Sequence, residues 1–150
     1  MRRKDRAITD EEAEKILKNG EYGFLSTVSE KNIPYGIPVN YCFINGNIYF
    51  HCAIEGKKLD NIGFNKNVSF CVVGSTQLQP DKFSTKYESC IISGIADEIF
   101  DTEKILALES LIEKYSYEFK KKGLEHIKKA GHKTKVIKIT PILITGKAKR

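Results

Sequence analysis

No apolar run in the chain approaches the ~20 residues that a membrane-spanning helix requires, so a membrane segment is not expected. The basic start, Met1-Arg2-Arg3-Lys4-Asp5-Arg6, does not lead into an apolar stretch either. Ile8-Thr9-Asp10-Glu11-Glu12 follows, which excludes the pattern of a secretory signal and points to the cytoplasm. Cysteine is sparse and never arranged as Cys-x-x-Cys. Cys42, Cys52, Cys71 and Cys90 each sit alone in an apolar, strand-like run, which argues against a metal site or a disulfide scaffold and for small buried hydrophobes. Internal repeats and low-complexity segments are absent. At 150 residues and 17.0 kDa the chain is expected to form one domain, residues 1–150, around a single core.

Acidic residues are scarce in one region only. From Lys120 to Arg150 there are eleven Lys/Arg and one acid, Glu125, whereas the first 119 residues hold 14 basic and 18 acidic side chains. The net charge of +6 is therefore a property of the C-terminal stretch. Such a stretch suits nucleic acid or another polyanion, but a solvated lysine-rich helix is the commoner outcome and the one expected here. His126 and His132 lie in it with no cluster of reactive side chains around them, and neither receives a role.

What the chain does have is strand patterning with few helices. Thr9-Asp10-Glu11-Glu12 has the spacing of a capping box before Ala13, Ile16 and Leu17, giving a short helix that ends at Asn19-Gly20. Residues 22–29 alternate as a half-buried strand, and residues 34–44 read as a second strand with Pro38 inside it. Proline donates nothing to a ladder, so position 38 marks an edge, a bulge or an interruption that leaves nearby N–H groups for other partners. Asn45-Gly46 signals a type I′ hairpin into the strand 47–53. A short helix over 56–64 and a strand over 67–74 come next, then a polar loop over 75–86 and a long strand over 88–100 with Gly94 as a bulge candidate. Asp101 or Thr102 is expected to cap the longest helix, followed by a lysine-rich helical segment and a last strand over 136–140, with 142–147 beyond it. About six strands with peripheral helices imply a mainly β fold, a small antiparallel barrel with helices outside it.

Chemistry concentrates in Asn47-Ile48-Tyr49-Phe50-His51-Cys52-Ala53-Ile54-Glu55-Gly56-Lys57-Lys58, a strand that turns sharply into a helix start. The orphan N–H groups of a helix's first turn carry partial positive charge, and Gly56-Lys57-Lys58 adds close backbone approach and two ammonium groups. The pattern fits an anion site, most naturally a phosphate, or else a basic surface turn after an edge strand. By strand alternation His51 points where Tyr49 points, away from Ile48 and Phe50.

The order of these motifs resembles the FMN-binding split-barrel proteins related to pyridoxamine 5′-phosphate oxidase, and among them the branch associated with 5-nitroimidazole resistance. The resemblance rests on the basic start, Gly23-Phe24-Leu25-Ser26-Thr27, Pro38-Val39-Asn40-Tyr41, Tyr49-Phe50-His51 with Gly56-Lys57-Lys58, and Ile144-Thr145-Gly146-Lys147. It implies a six-stranded antiparallel split β-barrel with short helices outside. It also implies an FMN cofactor, with Pro38, Val39, Asn40 and Tyr41 along the isoalloxazine edge, His51, Cys52 and Ala53 beside the ring and ribityl chain, and Gly56, Lys57 and Lys58 on the 5′-phosphate. A homodimer with flavin at the subunit interface is implied, with Tyr87, Glu88 and Ser89 approaching from the partner copy. The implied function is an oxidoreductase passing electrons from reduced FMN to a small acceptor such as a nitroimidazole or other nitro compound, with His51 as the catalytic candidate. A histidine that merely packs is the competing reading of His51, and a non-enzymatic flavin or haem carrier or sensor is the competing reading of the whole. The chain departs from pyridoxamine-phosphate oxidase itself. It lacks an arginine-rich strand at residues 36–41 and has no tryptophan at all, so vitamin B6 oxidation is not expected.

Overall fold

A computed structural model of the chain describes residues 2–150, so Met1 of the basic opening motif lies outside the described residues. In order, the elements are helix α1 (Asp10–Asn19), strands β1 (Gly23–Val28), β2 (Pro34–Val39), β3 (Cys42–Ile44) and β4 (Asn47–Cys52), helix α2 (Lys57–Phe64), strands β5 (Asn67–Gln79) and β6 (Ser84–Ile99), helices α3 (Asp101–Tyr115) and α4 (Lys120–Ala130), and strand β7 (Lys135–Lys149). None of these helices is long and apolar enough to cross a membrane.

The strands form one antiparallel sheet of seven in the order β2-β1-β5-β6-β7-β4-β3. The expected six becomes seven because the run 34–44 is broken: its first half pairs with β1 and its second half with β4. Laid flat, a sheet of this width would hold its edges about 29 Å apart at ~4.8 Å per spacing, yet only three Cα steps of ~3.8 Å join Val39 to Cys42. The sheet therefore curls until its two edge strands meet at Asn40-Tyr41. No ladder crosses that seam, so in place of the expected six-stranded split barrel the structure has seven strands in one open, curled sheet. Pro38 lies opposite Phe24 on the edge strand β2, where a missing donor is tolerated.

Several local expectations hold. The Thr9 hydroxyl accepts from the Glu12 N–H at 3.2 Å and the Glu12 carboxylate accepts from the Thr9 N–H at 3.0 Å, a complete capping box. Asn45 and Gly46 both have positive φ, 51° and 74°, as a type I′ turn demands. The ladder between β6 and β7 slips between Ser93 and Gly94, leaving Ile142 unpaired on β7. A side chain at Gly94 would sit 2.6 Å from the Thr140 carbonyl oxygen, so the two backbones touch there.

Others are corrected. Residues 75–86 are not a loop: β5 and β6 run on as a two-stranded arm closed by a short turn at Pro80–Lys82. Both faces of such a ribbon are wet, so its sequence carries no apolar alternation. The last strand is one element, passing through Pro141 at the bulge rather than stopping at Thr140. Neither Asp101 nor Thr102 caps α3; Phe100 holds the N-cap position with no side-chain bond.

Two apolar clusters result. Leu25, Tyr41, Ile48, Phe50, Phe70 and Ile92 fill the inside of the curl. Cys42, Tyr49, Ala107, Leu108, Leu111 and Val136 lie between the outside of the sheet and α3. All four cysteine thiols are free, and Cys42, Cys52 and Cys90 are buried as expected, whereas Cys71 is only half-buried. Burial pushes the Cys42 thiol up to about 11 and the Cys90 thiol up to about 12, so neither is a thiolate at neutral pH.

Candidate functional site: the seam and the start of α2

The seam leaves polar backbone that some group must satisfy. Tyr115, at the end of α3, does so. Its hydroxyl oxygen accepts from the Tyr41 N–H at 2.9 Å, and the O–H has the Glu21 carbonyl at 2.6 Å and the Tyr41 carbonyl at 2.9 Å. Tyr41 itself is fully buried, and its own hydroxyl donates to the Leu17 carbonyl at 2.7 Å. The backbone N–H and C=O of Tyr41 and its hydroxyl therefore all have partners within the chain. Pro38 and Asn40 are exposed beside it and Val39 is half-buried. These three line a cleft of about 470 Å³ that Tyr115 also borders. β2 has one ladder neighbour only, so its other edge presents unpaired backbone groups to this side.

On the far side of the seam stands His51, at the end of β4. Its surface is open to solvent at the mouth of a second cleft, of about 730 Å³, while neighbouring atoms crowd its other side. That crowding desolvates the imidazole and holds its pKa below the usual histidine value of 6.5. Asn40 and Tyr115 border both clefts, so the two meet at the seam.

The chain then turns through exposed Ala53 into Gly56, whose φ of 135° is a conformation that side chains rarely adopt. With glycine as N-cap, α2 has no side-chain cap, and the first intrahelical bonds to its N-cap carbonyl come only from the N–H groups of Leu59 and Asp60. The N–H groups of Lys57 and Lys58 are thus the orphan donors of the helix's positive end. Nothing lies within 4 Å of the space over Gly56 that a side chain would take. The Lys57 ammonium rests 4.7 Å from the centroid of the Tyr35 ring on β2. Lys58 is half-buried on the other side, near enough to Cys52 for its charge to oppose the rise that burial imposes on that thiol. α2 is fixed to the sheet through buried Asn61, whose side-chain amide donates to the Thr27 hydroxyl at 2.9 Å, which in turn lies 3.3 Å from the Tyr35 carbonyl. The same link thus positions the helix start and the ring under Lys57.

Tyr87, Glu88 and Ser89 lie on β6, and none of them lines the cleft at His51. Tyr87 is flanked by Lys147 and Arg6, which hold its phenol below the usual tyrosine range. Glu88 accepts from the Ser75 N–H at 3.3 Å, and Ser89 pairs with Val73 and Lys147. Within one chain they are therefore separate from the residues around His51. The sequence also missed two residues that the fold brings in. Tyr115 carried no local signal for its role, and His126, to which no role was given, borders the His51 cleft.

The model of the pyridoxamine 5′-phosphate oxidase family matches residues 9–148. The chain belongs to that family. Among solved structures it is similar in fold to a candidate 5-nitroimidazole antibiotic resistance protein from Bacteroides thetaiotaomicron, at 23% identity over 95% of this chain and 86% of that one, with a TM-score of 0.77. It also resembles the FAD-binding protein of Mycobacterium smegmatis, at 19% identity over 96% and 98% of the two chains and a TM-score of 0.65. A third likeness is to the haem storage protein HutZ of Vibrio cholerae, at 10% identity over 90% and 92% with a TM-score of 0.66. At these identities the likenesses establish the fold alone, and the names of those proteins point to different ligands. No functionally curated protein matches the chain.

Proposed function

We propose that this family member binds FMN at the start of α2 and serves as an oxidoreductase for a small acceptor. The observation that carries the reading is the uncapped N-terminus at Gly56, where two orphan N–H groups belong to Lys57 and Lys58 and nothing lies within 4 Å of the space a side chain at Gly56 would take. A terminal phosphate suits that set, because charge-assisted bonds contribute roughly 1.5–3 kcal/mol each and the dipole favours an anion. Bound there, flavin supplies the electron transfer. Lys57 and Lys58 grip the phosphate, and the free edge at Pro38, Val39 and Asn40 orients the ring. Cys52 and Ala53 line the path between. His51, neutral at pH 7 because desolvation disfavours its charged form, presents one N–H to an acceptor such as a nitro compound.

A homodimer completes the proposal, with Tyr87, Glu88 and Ser89 of the second copy closing over the ring. It is supported by an apolar outer face on which Phe24, Cys71 and Ile91 stand side by side across three strands. Val73 on that face is 50% exposed and Ile91 46%, an uncovered surface that a second copy would bury. The β5–β6 arm extends it, with Phe83 98% exposed at its tip.

Titration of flavin-stripped protein with FMN and with riboflavin tests the phosphate assignment. FMN is expected to bind at least about tenfold more tightly, and equal affinities would sink the reading. The FMN-loaded protein is then expected to reduce a nitroimidazole when supplied with a chemical reductant, and to do so more slowly with His51→Ala. Turnover unaffected by that change would remove His51 from the reaction.

A further inference from the structure

The cleft behind His51 is built mainly by α3 and α4, with Asn40 and His51 at its edge, and its lining is chemically one-sided. Leu108, Leu111, Ile112, Phe119 and Ile127 give it an apolar body. Its polar rim consists of His51, Asn40, Tyr115, Ser116, Lys122, His126 and Thr134, with no carboxylate among the lining residues. Lys122 and His126 stand four residues apart on α4 and so share a face. Of the eleven cations in the basic C-terminal stretch, four are paired with acids, Lys120 with Glu113, Lys135 with Glu98, Lys138 with Glu103 and Arg150 with Glu12, and among the described residues the other seven are not. Lys122 makes no such pair among the described residues. A volume of about 730 Å³ is within the usual range for a small-molecule site.

We infer that this cleft binds an amphipathic organic anion, an aromatic or aliphatic carboxylate, with its carboxylate against Lys122 and His126 and its apolar body against Leu108, Leu111 and Ile127. A cation is disfavoured by the lysine, and a purely apolar molecule would leave the basic rim unused. α4 has no fully buried residue, so it covers the cleft without being locked into the core and leaves room for a ligand to enter. Only one part of the inference rests on the flavin reading, namely that the ligand's inner end lies beside the ring at Asn40 and His51. Binding itself does not.

The test uses the protein as purified, titrated calorimetrically with 4-phenylbutyrate and with its neutral isostere 4-phenylbutyramide. The acid is expected to bind about tenfold or more tightly than the amide, and Lys122→Gln is expected to erase the difference while leaving amide binding unchanged. Lys122 is exposed, so the variant should fold. Equal affinity for acid and amide, no binding of either at millimolar concentration, or a preference that survives Lys122→Gln would each overturn the inference. The same titration of Lys57→Ala/Lys58→Ala separates the two proposals. If that variant retains flavin, the phosphate assignment fails while acid binding in the α3/α4 cleft can still stand; acid binding lost only upon Lys122→Gln marks the cleft alone.

Discussion

Tyr115 holds together a seam that the strands leave unpaired. One hydroxyl, delivered from the end of α3, meets the N–H of Tyr41 and two carbonyl oxygens where β2 and β3 part. Tyr115→Phe keeps the ring but strands a buried N–H, so the denaturation midpoint should fall by an amount equivalent to about 1–3 kcal/mol. An unchanged midpoint would show that water replaces the hydroxyl at no cost. Nearby, the Lys114 ammonium is buried without a hydrogen-bond partner and lies 3.9 Å from the centroid of the Tyr41 ring. Desolvation lowers its pKa, and the faces of the Tyr41 ring and of the Tyr115 ring, 5.3 Å away, attract its charge. None of this was legible in the sequence. Tyr115 and Tyr41 are 74 positions apart, and a tyrosine at helical spacing reads as one more core residue. His51 was legible because strand alternation alone fixes which way it points, whereas His126 reached the same cleft through the packing of α4 on α3, which no local pattern encodes.

At the scale of elements, the starts of the first two helices differ in kind. α1 closes its own end with Thr9 and Glu12, while α2 begins on a glycine that offers no side chain. Both were readable, since caps depend on residues within one turn of each other. The hairpin at Asn45-Gly46 and the irregularity at Gly94 were readable for the same reason. The break that makes two strands of residues 34–44 was only half readable: Pro38 marked an edge, but which neighbour each half would choose depends on the closing of the whole sheet. The β5–β6 arm was invisible because a ribbon wet on both faces needs no hydrophobic period. Gly94→Ala puts a methyl group against the Thr140 carbonyl and the Ile139 side chain, both nearer than 3 Å. The crossing of β6 and β7 should be weakened by about 1–3 kcal/mol, read as a lower denaturant midpoint. A midpoint equal to wild type would mean the two strands separate there without strain.

Across the whole molecule, the curl of the sheet brings together pieces that lie far apart in an extended chain. It sets the free edge of β2, the end of β4 and the start of α2 around one region, and it turns the outer face with Phe24, Val73 and Ile91 toward solvent. The family and the mainly β architecture were legible from the order of short motifs. The seventh strand and the open seam were not, because they follow from closure rather than from any one segment. The proposed function puts the phosphate of a flavin nucleotide at the start of α2. Its most direct measurement is the flavin content, by absorbance and mass of the released chromophore, of wild type and of Lys57→Ala/Lys58→Ala purified side by side, with circular dichroism to show that both are folded. Wild type should carry FMN and the folded variant should have lost most of it; a colourless wild type, or a variant as yellow as its parent, would contradict the account.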